Sequence, residues 1–361
     1  MKILYYFQQY NSPMYLWQND HIVNELRHYD IQVEIFNPLK YENINMANSE
    51  LIKYININRV DLFMTCHADD LIYIDTIKQI GKQGIPTVLI CFDNLLIPYE
   101  HKKVCKYFDL VWLTSVENKN LFDKWGAKTI FLPYAANPYF FNFFESDEIE
   151  RICFIGTPYG SRANTINHLS QANIPITLYG KPLSTLNEKH IITKGLLYTV
   201  KTDLQFSVGR RLLLAAMKQR LTKQAILDTN APSIEYGGYA NDMSIIYSKY
   251  ALALSSTTAR NTGILHKPVP VVNLRSFEIP MSGGIQFCKY NSELANYFQD
   301  EKEIVFYKTE EEMLEKAKFY LDNGQQEVRK IIRKNARKRA EAEHTWHKRF
   351  IAIFSELGIK D

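Results

Sequence analysis

The chain has 361 residues, past the roughly 250–300 at which one hydrophobic core stops growing, so two domains are expected. Hydrophobic residues make up 46% and charged residues 23%, which excludes a disordered chain. The 43 basic and 39 acidic residues leave a formal charge of +4, too small a surplus to point to nucleic acid, and none is expected as a partner.

The N-terminus, MKILYYFQQYNSPMYL, carries one Lys and an apolar run broken by Gln8, Gln9 and Pro13, unlike a secretory leader. No stretch approaches the roughly 20 apolar residues that span a bilayer. A cytoplasmic protein is expected. Five Cys (66, 91, 105, 153 and 288) are scattered, with no C-x-x-C pair, which argues against a zinc or redox site. Cys66, Cys91 and Cys153 fall in or beside apolar runs, where Cys acts as a small hydrophobe.

In chain order, MKILYYF (1–7) predicts a buried strand, and Trp17, His21, Val23 and Leu26 fall near helical spacing. QVEIFNP (32–38), VDLFMTC (60–66), PTVLICF (86–92), LVWLT (110–114) and TIFLPY (129–134) predict further strands. Helical patterns separate them, such as DTIKQIGKQG (75–84), which Gly84 can close. The rhythm breaks at FNFFESDEIE (141–150) and restarts with RICFIG (151–156), PITLYG (175–180), YALALSS (250–256), PVPVVN (268–273) and EIVFYK (303–308). Strands alternating with helices predict two α/β lobes with mostly parallel sheets. The expected division is 1–145, 146–334 and a C-terminal helix, 335–361. Glu310 to Leu321 predicts one amphipathic helix, and Gln326 to Leu357 a second. Its basic run, Arg329-Lys330 through Arg337-Lys338-Arg339, predicts a solvated face, with a dock for anionic membrane or an anionic acceptor as the alternative.

The segment richest in chemistry is NLRSFEIPMSGG, Asn273 to Gly284. It predicts a sharp turn after a strand, then a short helix that stops at Gly283-Gly284. A helix start beyond a strand's carboxyl end offers backbone N–H groups to an anion. Arg275 adds a planar cation suited to phosphate. Glu278, one turn on, can accept two hydrogen bonds from vicinal hydroxyls such as those of a ribose. Arg275 and Glu278 are also three apart, the spacing of a helix ion pair, and the glycines also suit a plain C-cap.

This segment resembles the N-x-R-x-F-E-x-x-x-x-G-G signature of the CgeB-like glycosyltransferases, the spore-maturation type, within the wider GT-B group. LANYFQDEKEIVFYKTEEEMLEKAKFYLDN (294–323) and AEHTWHKRF (342–350) resemble that family's later segments in the same order. ICFIGTPYGSR (152–162), VLICFDN (88–94) and KTIFLPYAANPYFF (128–141) resemble its strand ends. The resemblance implies a GT-B fold: two Rossmann-like lobes, a central cleft, and a C-terminal helix crossing back to the first lobe. It implies transfer of a sugar, hexosyl by expectation and with retention, from a nucleotide-sugar donor to a glycan, lipid-linked or protein acceptor. Glu278 would hold the donor ribose; Asn273, Arg275, Ser276 and Gly283 would flank diphosphate and sugar. Gly156 and Arg162 would border the diphosphate from the loop that opens the donor lobe. No Asp-x-Asp motif stands at a convincing place, so no obligatory metal and no cofactor are expected. One departure is clear: Pro270 stands where many retaining GT-B enzymes carry a second Glu.

In the first lobe, His67 follows VDLFMTC and Asp93 follows PTVLICF. Either could touch the acceptor hydroxyl or reacting sugar, His67 as a base near neutral pH and Asp93 as a carboxylate. Tyr239, after Tyr236-Gly237-Gly238, is a candidate donor contact by stacking, against an ordinary turn as the other reading. A nucleotide-sugar epimerase and a non-catalytic sugar-nucleotide-binding protein are the rival functions.

Overall fold

The computed structural model describes residues 1–10, 12–144, 147–180, 196–222, 227–240 and 242–359. Packing divides the chain into two compact units, Met1–Asn137 with Thr345–Asp361, and Pro138–His344. The lobe boundary expected at 145/146 falls outside the described residues.

In the first unit, β1 (Lys2–Tyr6), β2 (Gln32–Phe36), β3 (Leu62–Thr65), β4 (Thr87–Cys91), β5 (Leu110–Leu113) and β6 (Thr129–Phe131) pair in parallel, in the order β2-β1-β3-β4-β5-β6. β3, β4 and β5 are buried at every position, as the central strands of a sheet covered on both faces must be. Helices α1 (Pro13–Gln18), α2 (Asn24–Arg27), α3 (Ile44–Ile57), α4 (Ile74–Lys82) and α5 (Lys119–Lys124) connect them. Ser12 caps α1 by accepting from the Tyr15 N–H, and Asn43 caps α3 by accepting from that of Met46. Gly84, with φ 77°, turns the chain out of α4.

In the second unit, β7 (Ile149–Ile155), β8 (Ile176–Tyr179), β9 (Ile234–Gly238), β10 (Tyr250–Ser255), β11 (Gln286–Lys289) and β12 (Val305–Tyr307) are also parallel, in the order β12-β11-β10-β7-β8-β9. The connecting helices are α6 (Ser161–Gln171), α7 (Leu196–Asp203), α8 (Ser207–Thr222), α9 (Met243–Lys249), α10 (Arg275–Met281), α11 (Glu310–Leu321) and α12 (Gln326–Glu343). Alternate residues of β7 divide between two cores. Ile152 and Phe154 pack with Ile166 and Leu169 of α6 and Met313 of α11. Cys153 and Ile155 pack with Tyr247 of α9 and Ile279 of α10. Helices α6 and α10 therefore lie on opposite faces of the sheet.

The last helix, α13 (Trp346–Leu357), belongs to the first unit. Its Trp346 ring lies 5.5 Å from Trp17, and Phe350 lies 5.7 Å from Trp112.

Three expectations are corrected. PVPVVN (268–273) is not a sheet strand; only Pro270 forms an isolated antiparallel bridge, with Thr258. Pro268 and Pro270 remove two alternate ladder donors, and β11 takes the place beside β10 instead. Gln326 to Leu357 is two helices rather than one. They break at His344, and Thr345 caps the second by accepting from the Lys348 N–H. The basic run divides between two faces: Lys330, Lys334 and Lys338 are exposed, as a solvated face requires, whereas its arginines turn inward. Arg329 and Arg333 are buried and share Glu148, each at 2.7 Å, and Arg337 donates to the carbonyls of Phe141 and Met281. Arginines four apart share one helix face, and here that face turns inward.

Candidate functional site in the second unit

The strand order reverses between β7 and β10, the position where open parallel sheets bind ligands beyond the carboxyl ends of their strands. Gly156 ends β7 with φ 138°, a backbone state natural to glycine. Gly160, with φ 61°, then starts α6, which brings in Arg162. The Arg162 guanidinium lies over the Tyr159 ring, 4.7 Å from its centroid. Its buried Nε has no hydrogen-bond partner among the described residues. Burial lowers the pKa of Arg162 from its ordinary value; Tyr159 opposes this and the Arg275 charge adds to it. The two cations therefore lie close enough to repel.

On the other face, Asn273 ties the start of α10 to the end of β10. Its Nδ2 donates to the Ser256 carbonyl at 2.8 Å, and its Oδ1 accepts from the Arg275 N–H at 3.0 Å. This corrects the expectation of open N–H groups at the helix start. The Ser276 N–H bonds the Asn273 carbonyl and the Phe277 N–H bonds that of Leu274. Among these residues, anion affinity would reside in the arginines.

Arg275 pairs with Glu278. The Glu278 side chain is 2% exposed and that of Arg275 32%, so the carboxylate is covered while its partner still reaches solvent. Burial works against the Arg275 charge, but Glu278 and Tyr247 outweigh it and hold its pKa above the ordinary value. Next to them, the buried Ser276 Oγ has no partner among the described residues.

A cavity of about 140 Å³ opens beside Arg162, lined also by Ser161, Ser255, Ser256, Thr258 and Lys289. Ser255 is 5% exposed, and its buried hydroxyl has no partner among the described residues. Sequence reasoning passed over Ser255 to Thr258. Their signal is a run of four hydroxyls directly after the apolar YALAL.

Of the other candidates, two belong to the second unit and two to the first. Gly283 lies at the far end of α10, buried, with φ 69°; its carbonyl accepts from Arg333, and a Cβ there would meet Phe143 at 2.3 Å. That is a structural position, the C-cap reading. Tyr239 is exposed just past β9, the edge strand. In the first unit, His67 and Asp93 follow the adjacent strands β3 and β4. His67 stacks on Phe7 at 5.5 Å, and its Nε2 accepts the Gln8 N–H at 3.1 Å. Burial, with His101 adding, brings its pKa down to about 4. With its acceptor nitrogen occupied and its basicity lowered by burial, His67 does not suit the base role. Asp93 is exposed, and its charge, after burial and with Asp70, helps raise the pKa of Glu100. Among the described residues no cluster of three His, Cys, Asp or Glu is placed to hold a metal, and no helix is long and apolar enough to cross a membrane.

Residues 206–355 match the glycosyl transferase-like family model. No curated protein matches the chain in sequence. Solved structures resemble it along its length. HepE of Anabaena, in complex with UDP and glucose, aligns with a TM-score of 0.58 at 14% identity, over 98% of this chain and 99% of that one. A glycosyltransferase from Rickettsia africae aligns at 0.57 and 12%, over 100% and 99%. Sucrose-phosphate synthase from Thermosynechococcus elongatus aligns at 0.53 and 12%, over 99% and 98%. At these identities the likeness is one of fold: two Rossmann-like α/β units of the GT-B class.

Proposed function

We propose that this chain is a glycosyltransferase of the CgeB-like type that moves a sugar, hexosyl by preference, from a nucleotide-sugar donor to an acceptor hydroxyl. The bond from the sugar's anomeric carbon to the diphosphate breaks, and the nucleoside diphosphate leaves with the electron pair. A bond from the same carbon to the acceptor oxygen forms, and the acceptor loses its proton. One observation carries the reading. Arg162 and Arg275 come from opposite faces of the sheet to its switch point, beside the covered Glu278. Two fixed cations there oppose the charge that grows on a departing diphosphate. In this reading Glu278 holds the ribose, the arginines act without a metal ion, Asp93 meets the acceptor, and the reaction proceeds with retention. The family match over 206–355 and a fold shared with a protein solved with UDP-glucose support it, and make UDP-sugars the first donors to test.

The test is a thermal-shift screen of nucleotide sugars, since a ligand that binds the native state raises its apparent stability. A shift with a nucleotide sugar, lost in Glu278→Gln, is expected. No shift with any nucleotide sugar, and no donor turnover, would overturn the proposal.

A further inference from the structure

The outer face of α8 is an amphipathic surface with no use in the site above. At about 100° per residue, Arg210, Leu214, Met217, Lys218 and Leu221 fall within an arc of about 100°. Val208, Leu212 and Ala215, on the opposite side, are buried against the unit. Leu214 is 56% exposed, Met217 60% and Leu221 82%. The helix, SVGRRLLLAAMKQRLT, holds four cations and no acid. The preceding α7 adds Tyr198, 72% exposed.

We propose that this face docks on an anionic lipid surface. A row of large apolar side chains flanked by Arg and Lys fits the boundary between acyl chains and acidic headgroups. Long cationic side chains there keep their charge at headgroup level while their stems cover apolar surface. A tyrosine suits the same depth. A second copy of this chain fits poorly, because a two-fold contact would set cations against cations. Lys218 Nζ donates to the Ile264 carbonyl at 2.6 Å and Arg210 to that of Leu204 at 3.1 Å, which holds both charges beside the apolar row. The proposal is independent of the sugar-transfer reading and of the inward-facing arginines of α12.

The test is co-sedimentation of the full chain with phosphatidylcholine vesicles, without and with about a third phosphatidylglycerol. Binding to the anionic vesicles alone, weakened by salt, is expected. Leu214→Glu with Leu221→Glu should abolish it, and Arg210→Gln or Lys218→Gln should each lower affinity about fivefold. An unchanged far-UV spectrum and melting transition would show that the variants fold. Equal binding to both vesicles, binding to neither, or binding indifferent to the glutamates would overturn the proposal. Self-association that the glutamates abolish, without vesicle binding, would assign the face to a second copy. Capture of an acidic protein with no vesicle binding would assign it to a protein partner.

Discussion

Glu25 and His347 are 322 positions apart, and the Glu25 Oε1 accepts the His347 N–H at 2.7 Å. The carboxyl thereby meets the first turn of α13, where exposed N–H groups await acceptors. Burial raises its pKa to about 8, against the hydrogen bonds from His347, Trp346 and Thr345 and the Arg349 charge. Its Oε2 has no partner among the described residues, as suits a carboxyl that keeps its proton.

A pH dependence follows. The folded state holds this proton up to about pH 8, whereas an unfolded Glu releases it near 4.5. The native state binds more protons in that window, so Glu25 takes stability away as pH rises from about 4.5 to 8 and adds no further loss above. Glu25→Gln should remove this slope. It should melt above wild type at pH 8, by on the order of 2 kcal/mol, and near it at pH 5. Equal pH slopes in both proteins would reject the protonated Glu25.

The Arg275–Glu278 pair adds a structural consequence to the binding change proposed for removal of Glu278. Glu278→Ala leaves Arg275 without its counter-charge. Because Arg275 still reaches solvent, the loss of stability should be about 1–2 kcal/mol, below that of a fully buried pair. Nucleotide-sugar affinity should fall further than this loss explains. Denaturant titration and donor calorimetry on one variant separate the two effects.

Arg162 and Arg275 should matter more to turnover than to nucleoside binding, because charge grows on the diphosphate only as the glycosidic bond breaks. Either Arg→Ala change should lower transfer about a hundredfold or more. Excess chelator should leave wild-type transfer intact. Activity lost to chelator and restored by magnesium or manganese would reject the metal-free reading.

Two glycines make a paired test. Gly283 and Gly238 both have positive φ, but a Cβ at Gly283 meets Phe143 at 2.3 Å while one at Gly238 meets nothing within 4 Å. Gly238→Ala should cost about 1 kcal/mol, the backbone term alone. Gly283→Ala should cost clearly more, at about 2–4 kcal/mol. Similar melting points for the two would show that Phe143 yields easily.

Central strands were legible because each is a short apolar run buried on both faces, as LFMT, TVLIC and LVWL are. PVPVV had the same hydrophobicity but not the N–H donors a central strand needs, so donors decide where apolar character does not. β11 (QFCK) is a short run that opens on Gln286, a residue the structure buries, and it went unread. The charge run on α12 misled for its arginines, though not for its exposed lysines, because net charge does not show that Glu148, some 180 positions away, awaits two of those arginines. At the site, Gly283-Gly284 marked the end of α10 correctly. That Asn273 would occupy the Arg275 N–H depends on where β10 ends, which local spacing does not encode.

Because α13 completes the first unit, the order of synthesis acquires a meaning. The strands β1 to β6 leave the ribosome long before Trp346, and all of the second unit is made in between. At about 5–20 residues per second, that delay is on the order of ten seconds or more. During it, Trp17, Phe92 and Trp112 lack the indole that will lie between them. The nascent first unit thus lacks the residue that fills its aromatic socket until α13 is made.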